Sequence, residues 1–296
     1  MKKKIFAILL SLTIVAGMMP DNTLADNAVN TQHDHCFCGM NEYSQGHDHD
    51  SLISWKPLSE INDAIDSGYY YLTGDIHTTS EWKINSTVAL CLNGYSIICD
   101  SDTAAINIER GGQLTITDCS ADETGTITHS DGKNGRGIYS MGKLDLWRGS
   151  VAGNQYCVKI DHSSPDDYYD YYDRPVDYGT GIYNSGTFNM YGGSVRDNPI
   201  NPNNENTASF GGGVYNSSAF NMYGGSISGN HAQNGGGGVC NRYSGIFNFS
   251  GGEICNNRSG GSGGGVLNEE SYSTFNMTGG VISGNRTERS GGGVSN

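Results

Sequence analysis

Six histidine and cysteine side chains fall between positions 33 and 49: His33, His35, Cys36 and Cys38, then His47 and His49. The chain contains 8 residues of each type, so this is a strong local concentration. Imidazole nitrogen and thiolate sulfur are the ligands zinc prefers, and a tetrahedral site needs four of the six. Cys-x-Cys and His-x-His differ from the Cys-x2-Cys spacing of common zinc modules. The competing expectation is therefore a leader that carries no metal.

A second constellation lies in the insert from Gln155 to Tyr178, which contains Asp161, Asp166, Asp167, Tyr168, Tyr169, Tyr171, Tyr172, Asp173 and Arg174. Tyrosine rings offer flat apolar faces with a polar hydroxyl, suited to sugars or protein surfaces. Clustered carboxylates are oxygen ligands of the kind calcium takes. Lys159, Asp161, His162 and Arg174 form the densest mix of acid, base and cation in the repeat region. The bland alternative is an acidic, solvated loop. The reading favours a binding surface over a catalytic one; no cofactor is required, and zinc at the leader or calcium at this loop are the candidate ions.

The scaffold behind these residues is legible as a repeat. A Gly-Gly-Gly-Val-Tyr-Asn phrase, then Phe-Asn-Met-Tyr-Gly-Gly, then Ser-Gly-Asn recurs with starts aligned on Ile182, Val214, Val239, Val266 and Val294. A self-similar period of this length signals a solenoid. Phe188-Asn189-Met190-Tyr191 alternates, so Phe188 and Met190 share one face, as do the equivalents beginning at Phe220, Phe247 and Phe275, with Leu144-Asp145-Leu146-Trp147 as a forerunner. A second strand column carries Val151, Val195, Ile227, Ile254 and Ile282, and a third carries Ile138, Ile182, Val214, Val239, Val266 and Val294. Three short strands per coil, divided by Gly and Asn, describe an all-β chain folded as a single right-handed parallel β-helix. Asn154, Asn198, Asn230, Asn257 and Asn285 recur at one corner, and Asn184, Asn216, Asn241, Asn268 and Asn296 at another. Stacked amides can bond up and down such columns. The insert after Asn154 and the extension from Pro199 to Phe210 leave the same corner of successive coils, so their roots should lie about one strand spacing apart.

Less regular coils fill the N-terminal half. Leu58, Ile61 and Ile65 fall on one helical face before Gly68, which predicts a short amphipathic helix capping the open core. Cys91 and Cys119 are about one coil apart, a spacing that allows them to be neighbours, without a bond being assigned between them. Cys240 and Cys255 fall on different faces, which argues against a disulfide joining them. Lys2–Lys4, the apolar run Ile5–Ala16 and Thr23-Leu24-Ala25 read as a secretory signal peptide over 1–25, too short to span a bilayer. The expected organisation is then a His/Cys-rich leader over 26–57 and the β-helix over 58–296. Because the chain stops inside a repeat phrase, the solenoid is expected to continue in a longer protein. A formal charge of -14 argues against nucleic acid and anionic membranes as partners.

The phrases Tyr70-Tyr71-Leu72-Thr73-Gly74-Asp75-Ile76, Cys91-Leu92-Asn93-Gly94 and Leu114-Thr115-Ile116-Thr117-Asp118-Cys119-Ser120, with the Phe-Asn-Met-Tyr-Gly-Gly coils, resemble the pectin-lyase-like repeats of secreted and surface proteins from Gram-positive bacteria, notably gut Firmicutes. The resemblance covers residues 33–296. It implies a secreted or bacterial cell-surface protein acting as an adhesin-like scaffold, with a glycan or a host or cell-surface protein as partner. The same fold carries polysaccharide lyases and glycoside hydrolases, the alternative the resemblance leaves open.

Overall fold

Strand pairing dominates the architecture because the repeats offer each strand backbone an identical partner one coil away. A computed structural model describes residues 33–37, 53–61, 65–156, 177–200 and 209–296. Each circuit places one strand in each of three sheets, which contain ten, eight and eight strands, with small two- and three-stranded sheets beside them. The coils form a parallel β-solenoid of about 7 turns.

The repeat columns are in register. Phe188 pairs with Phe220, Phe220 with Phe247, and Phe247 with Phe275. Their rings stack at centroid distances of 4.6, 4.5 and 5.0 Å. The first three are fully buried, while Phe275 is partly buried in the final rung. Val151, Val195, Ile227, Ile254 and Ile282 stack through the second sheet. Ile138, Ile182, Val214, Val239, Val266 and Val294 stack through the third. Burying one such side chain contributes about 1.5–3 kcal/mol.

Both asparagine corners are buried ladders. Asn198 Nδ2 donates to Asn230 Oδ1 at 2.8 Å, and Asn230 Nδ2 to Asn257 Oδ1 at 3.0 Å. At the other corner, Asn184, Asn216 and Asn241 each donate upward at 2.7 Å. The Gly-Gly-Gly phrase serves the first ladder. Gly211 has φ +69°, while a Cβ on Gly213 would lie 2.9 Å from Asn230 Nδ2 and 2.7 Å from the Gly238 carbonyl oxygen. The first glycine makes the turn and the third admits the neighbouring coil.

The expected capping helix needs correction. Leu58 closes a strand, β2 (Ile53–Leu58), whose Lys56–Leu58 pair in parallel with Tyr70–Leu72 of β3 (Gly68–Leu72). Ile61 and Ile65 pack partly buried against the core, and no helix forms among the described residues. An isolated eight-residue helix is marginal, whereas a strand continuing an existing sheet gains ladder bonds immediately. Capping is thus a strand addition at Leu58 rather than a helix.

A further strand, β1 (His33–His35), pairs antiparallel with the first half of β2, His33 opposite Trp55 and His35 opposite Ile53. The alternation of Val88, Leu90 and Leu92 into the main core puts Ala89 and Cys91 on the outer face of the ten-stranded sheet. Those two residues are nevertheless buried, in a second cluster with Trp55 and Tyr71, against which Phe37 and Ile53 pack. The β1–β2 hairpin therefore folds over the outer face of the first rungs.

Candidate metal centre and outer sheet face

His33 and His35 occupy alternate positions of β1 and so share a face. Beneath them lie Cys91, at the end of the strand Thr87–Cys91, and Cys119, two residues beyond its register partner Thr117. One ligand atom from each of His33, His35, Cys91 and Cys119 lies within 4.8 Å of the others. His33 Nε2 is 2.9 Å from His35 Nε2 and 3.4 Å from Cys119 Sγ.

Neighbouring groups fix these side chains. His35 Nδ1 donates to the Cys36 carbonyl at 2.6 Å, so Nε2 is the nitrogen left to serve as a ligand. The ring stacks on Trp55 at 4.5 Å, and Trp55 Nε1 donates to the His35 carbonyl at 3.0 Å. His33 stacks on Tyr71 at 4.2 Å. Cys119 is set by the turn around Asp118, whose buried carboxylate accepts backbone N–H bonds from Gly94, Ser120 and Gly125 at 2.9, 2.9 and 2.7 Å. Asn93 Oδ1 accepts from the Cys119 thiol at 3.3 Å. A hydrogen bond from Cys91, opposed by burial and aided by His33 and His35, pulls the Cys119 thiol far below its usual range. The same hydrogen bond and burial push Cys91 up.

Of the six leader residues expected to bind metal, the structure brings His33 and His35 to the cluster. Cys36 is buried, but it contributes its carbonyl to His35, and its sulfur is not among the four converging ligand atoms. It follows His35 directly and leaves the face that the two histidines share. Cys38, His47 and His49 lie outside the described residues. The spacing of Cys91 and Cys119 allowed them to be neighbours, but neither was expected as a ligand. The signal was that Cys91 sits at the outward phase of its strand, where a buried thiol needs an explanation, with Cys119 just past the end of the next rung.

Further along the same outer face the side chains become polar and aromatic. Asp145, Asn189, Asn221, Asn248 and Asn276 stand in one register. Each amide donates to the rung before it, at 2.8, 2.9, 2.8 and 2.9 Å, so the chain of bonds ends on the Asp145 carboxylate. Lys143 Nζ donates to Asp145 at 2.7 Å. Beside this ladder, Trp147 stacks on Tyr191 at 4.2 Å and Tyr191 on Tyr223 at 5.1 Å, with interplanar angles of 15° and 14°. Tyr191 and Tyr223 are exposed. Burial and the nearby Asp145 and Tyr223 raise the Tyr191 phenol, which stays a donor.

At the corner of the two inserts, Asp177–Tyr178 pairs in parallel with Ser209–Phe210, so the two roots do lie one strand apart. Tyr178 and Phe210 pack against Tyr215, Cys240 and Leu267 on the outer face of the third sheet. Arg136 Nε donates to the Tyr178 carbonyl at 2.7 Å, and its guanidinium lies 3.7 Å from the centre of the Tyr156 ring. Lys159, Asp161, His162, Asp166, Asp167, Tyr168, Tyr169, Tyr171, Tyr172, Asp173 and Arg174 lie outside the described residues.

A scan against protein-family models, a search of curated proteins and a search of solved structures each return no match. No helix among the described residues is long and apolar enough to cross a membrane.

Proposed function

We propose that the chain is a secreted or cell-surface binding protein, adhesin-like in plan, whose coils form a spacer and whose outer sheet face holds carbohydrate. The stacked Trp147–Tyr191–Tyr223 ladder beside the Asp145–Asn276 amide ladder carries this reading. Aromatic faces suit the apolar faces of sugar rings, and phenol and indole edges add polar contacts. The ladder amides of Asn221, Asn248 and Asn276 each use one of their two N–H donors within the column, which leaves the other for sugar hydroxyls. The aromatic and amide columns run parallel along successive rungs, matching an extended chain of repeating units rather than a compact ligand. The tyrosine-rich insert, rooted at a different corner, is a second candidate contact, with calcium as its candidate ion. The basic, apolar and small-residue pattern of positions 1–25 supports export, and the repeat phrases resemble those of Gram-positive surface proteins.

Incubating the secreted chain with a glycan panel tests the reading. Retention of a polysaccharide without new chain ends supports binding. New reducing or unsaturated ends would instead support a lyase or hydrolase, and no retention of any glycan would remove carbohydrate as the ligand.

A further inference from the structure

We propose that His33, His35, Cys91 and Cys119 bind one zinc ion in a closed structural site that fastens the β1–β2 hairpin over the outer face of the ten-stranded sheet. Two imidazole nitrogens and two sulfurs are a complete zinc ligand set. With Zn–N of about 2.0–2.1 Å and Zn–S of about 2.3 Å, a tetrahedron has ligand–ligand edges of about 3.3–3.8 Å. The His33–Cys119 separation of 3.4 Å falls in that range, and the His33–His35 separation of 2.9 Å needs to open by a few tenths of an ångström.

The groups around the four ligands favour a metal over a bare hydrogen-bonded cluster. His35 has its Nδ1 proton held by the Cys36 carbonyl, the second-shell bond that presents Nε2 to a metal. Both imidazoles are held by ring stacking, on Tyr71 and Trp55, so little side-chain freedom remains to be lost on binding. Cys91 is 0% and His35 4% exposed, so the site is closed on that side, as structural zinc sites are. A disulfide between Cys91 and Cys119 would explain the two sulfurs but not the convergence of two imidazoles upon them.

Position assigns the role. The ligands come from β1, from the end of one rung and from the turn after the next, so a single ion joins segments far apart in the chain. Closing so long a loop is where a metal clip stabilises most in principle. The clip sits where the hairpin covers Tyr71, Ala89 and Cys91, at the end of the face whose later rungs carry the exposed aromatic ladder.

The test uses the whole chain, reduced and dialysed against buffered Zn(II), with zinc counted by mass spectrometry and Co(II) substituted for spectroscopy. The expected result is one zinc per chain and a Co(II) spectrum with tetrahedral d–d bands and thiolate charge transfer. His35→Ala and Cys119→Ser should each lower zinc affinity by more than about 100-fold, since losing a ligand exceeds the effect of losing a second-shell partner. If either variant fails to fold, the Co(II) spectrum of the unaltered chain decides alone. The proposal is overturned by a folded, reduced chain that retains no zinc, by an octahedral Co(II) spectrum without thiolate bands, or by full zinc retention in both variants. A Cys91–Cys119 disulfide in the secreted chain, with no zinc uptake after reduction, also overturns it.

Discussion

Cys119 Sγ lies 3.4 Å from His33 Nε2, although 86 positions separate them in the chain. The contact exists because β1, the edge strand paired with the first half of β2, stacks His33 on Tyr71, whose register partner is Cys91. If zinc holds it there, a strong chelator should loosen the hairpin and leave the later coils alone. Hydrogen exchange should then accelerate at residues 33–37 and 53–58, while Ile182–Asn184 through Val266–Asn268 keep their protection. Equal loosening throughout would mean that the site supports the whole solenoid, and no change would mean that the hairpin is held by its aromatic packing.

The buried amide ladder makes a sharper stability prediction than the apolar core. Asn230 Nδ2 donates to Asn257 Oδ1 and to the Val195 carbonyl, while Asn230 Oδ1 accepts from the Asn198 backbone and side chain. Asn230→Ala should therefore destabilise by about 1–3 kcal/mol or more, because several buried groups lose partners together. Asn276→Ala, in the exposed outer ladder, should stay within about 0.5 kcal/mol. Urea melts of both variants check the contrast.

The solenoid was legible because its physics is periodic. Phe188, Phe220 and Phe247 repeat the same alternation, and a strand whose neighbour has the same pattern has one favourable register. The asparagine corners were readable for the same reason. The capping helix failed because the spacing of Leu58, Ile61 and Ile65 fits a helix, while the pairing of Lys56–Leu58 with Tyr70–Leu72 is invisible in local spacing. His33 and His35 stood out by composition. Their cysteine partners did not, since the fold chose Cys91 and Cys119 over the adjacent Cys36.

Cutting the inserts is expected to have two different outcomes. Removing residues within 157–176 and 201–208 should leave melting nearly unchanged, since the repeated sequence columns that build the core include none of them. Extending the cut through Tyr178 and Phe210 should destabilise, because both rings pack on Tyr215, Cys240 and Leu267. Both rings are partly buried against that cluster. Thermal melts of the short and long deletions distinguish the cases.

His231 gives a signed pH effect. Burial, with Arg258 opposite in register, holds its imidazole below the ordinary 6.5, against a smaller pull upward from Glu288. As pH falls through 6.5, the unfolded chain takes the proton before the folded one, so stability drops, and the loss levels off once the folded imidazole also protonates. Burial opposes a charge on His129, but Cys99, Asn154 and the Thr103 carbonyl outweigh it and raise that imidazole, an effect of opposite sign. The comparison is therefore with His231→Asn, which should lose less stability than the unaltered chain between about pH 7.5 and pH 5.

The aromatic ladder offers the most direct measurement of the functional account. The chain and its Trp147→Ala/Tyr191→Ala/Tyr223→Ala variant should be applied to the same immobilised glycan panel, with melting curves recorded for both. Because Tyr191 and Tyr223 are exposed and the ladder stands on the outer face, the variant should remain folded. The account predicts that the unaltered chain is retained on at least one polysaccharide and that the folded variant loses that retention at least about tenfold, with stacking worth about 1.4 kcal/mol or more. A folded variant retained as strongly as the unaltered chain would contradict it.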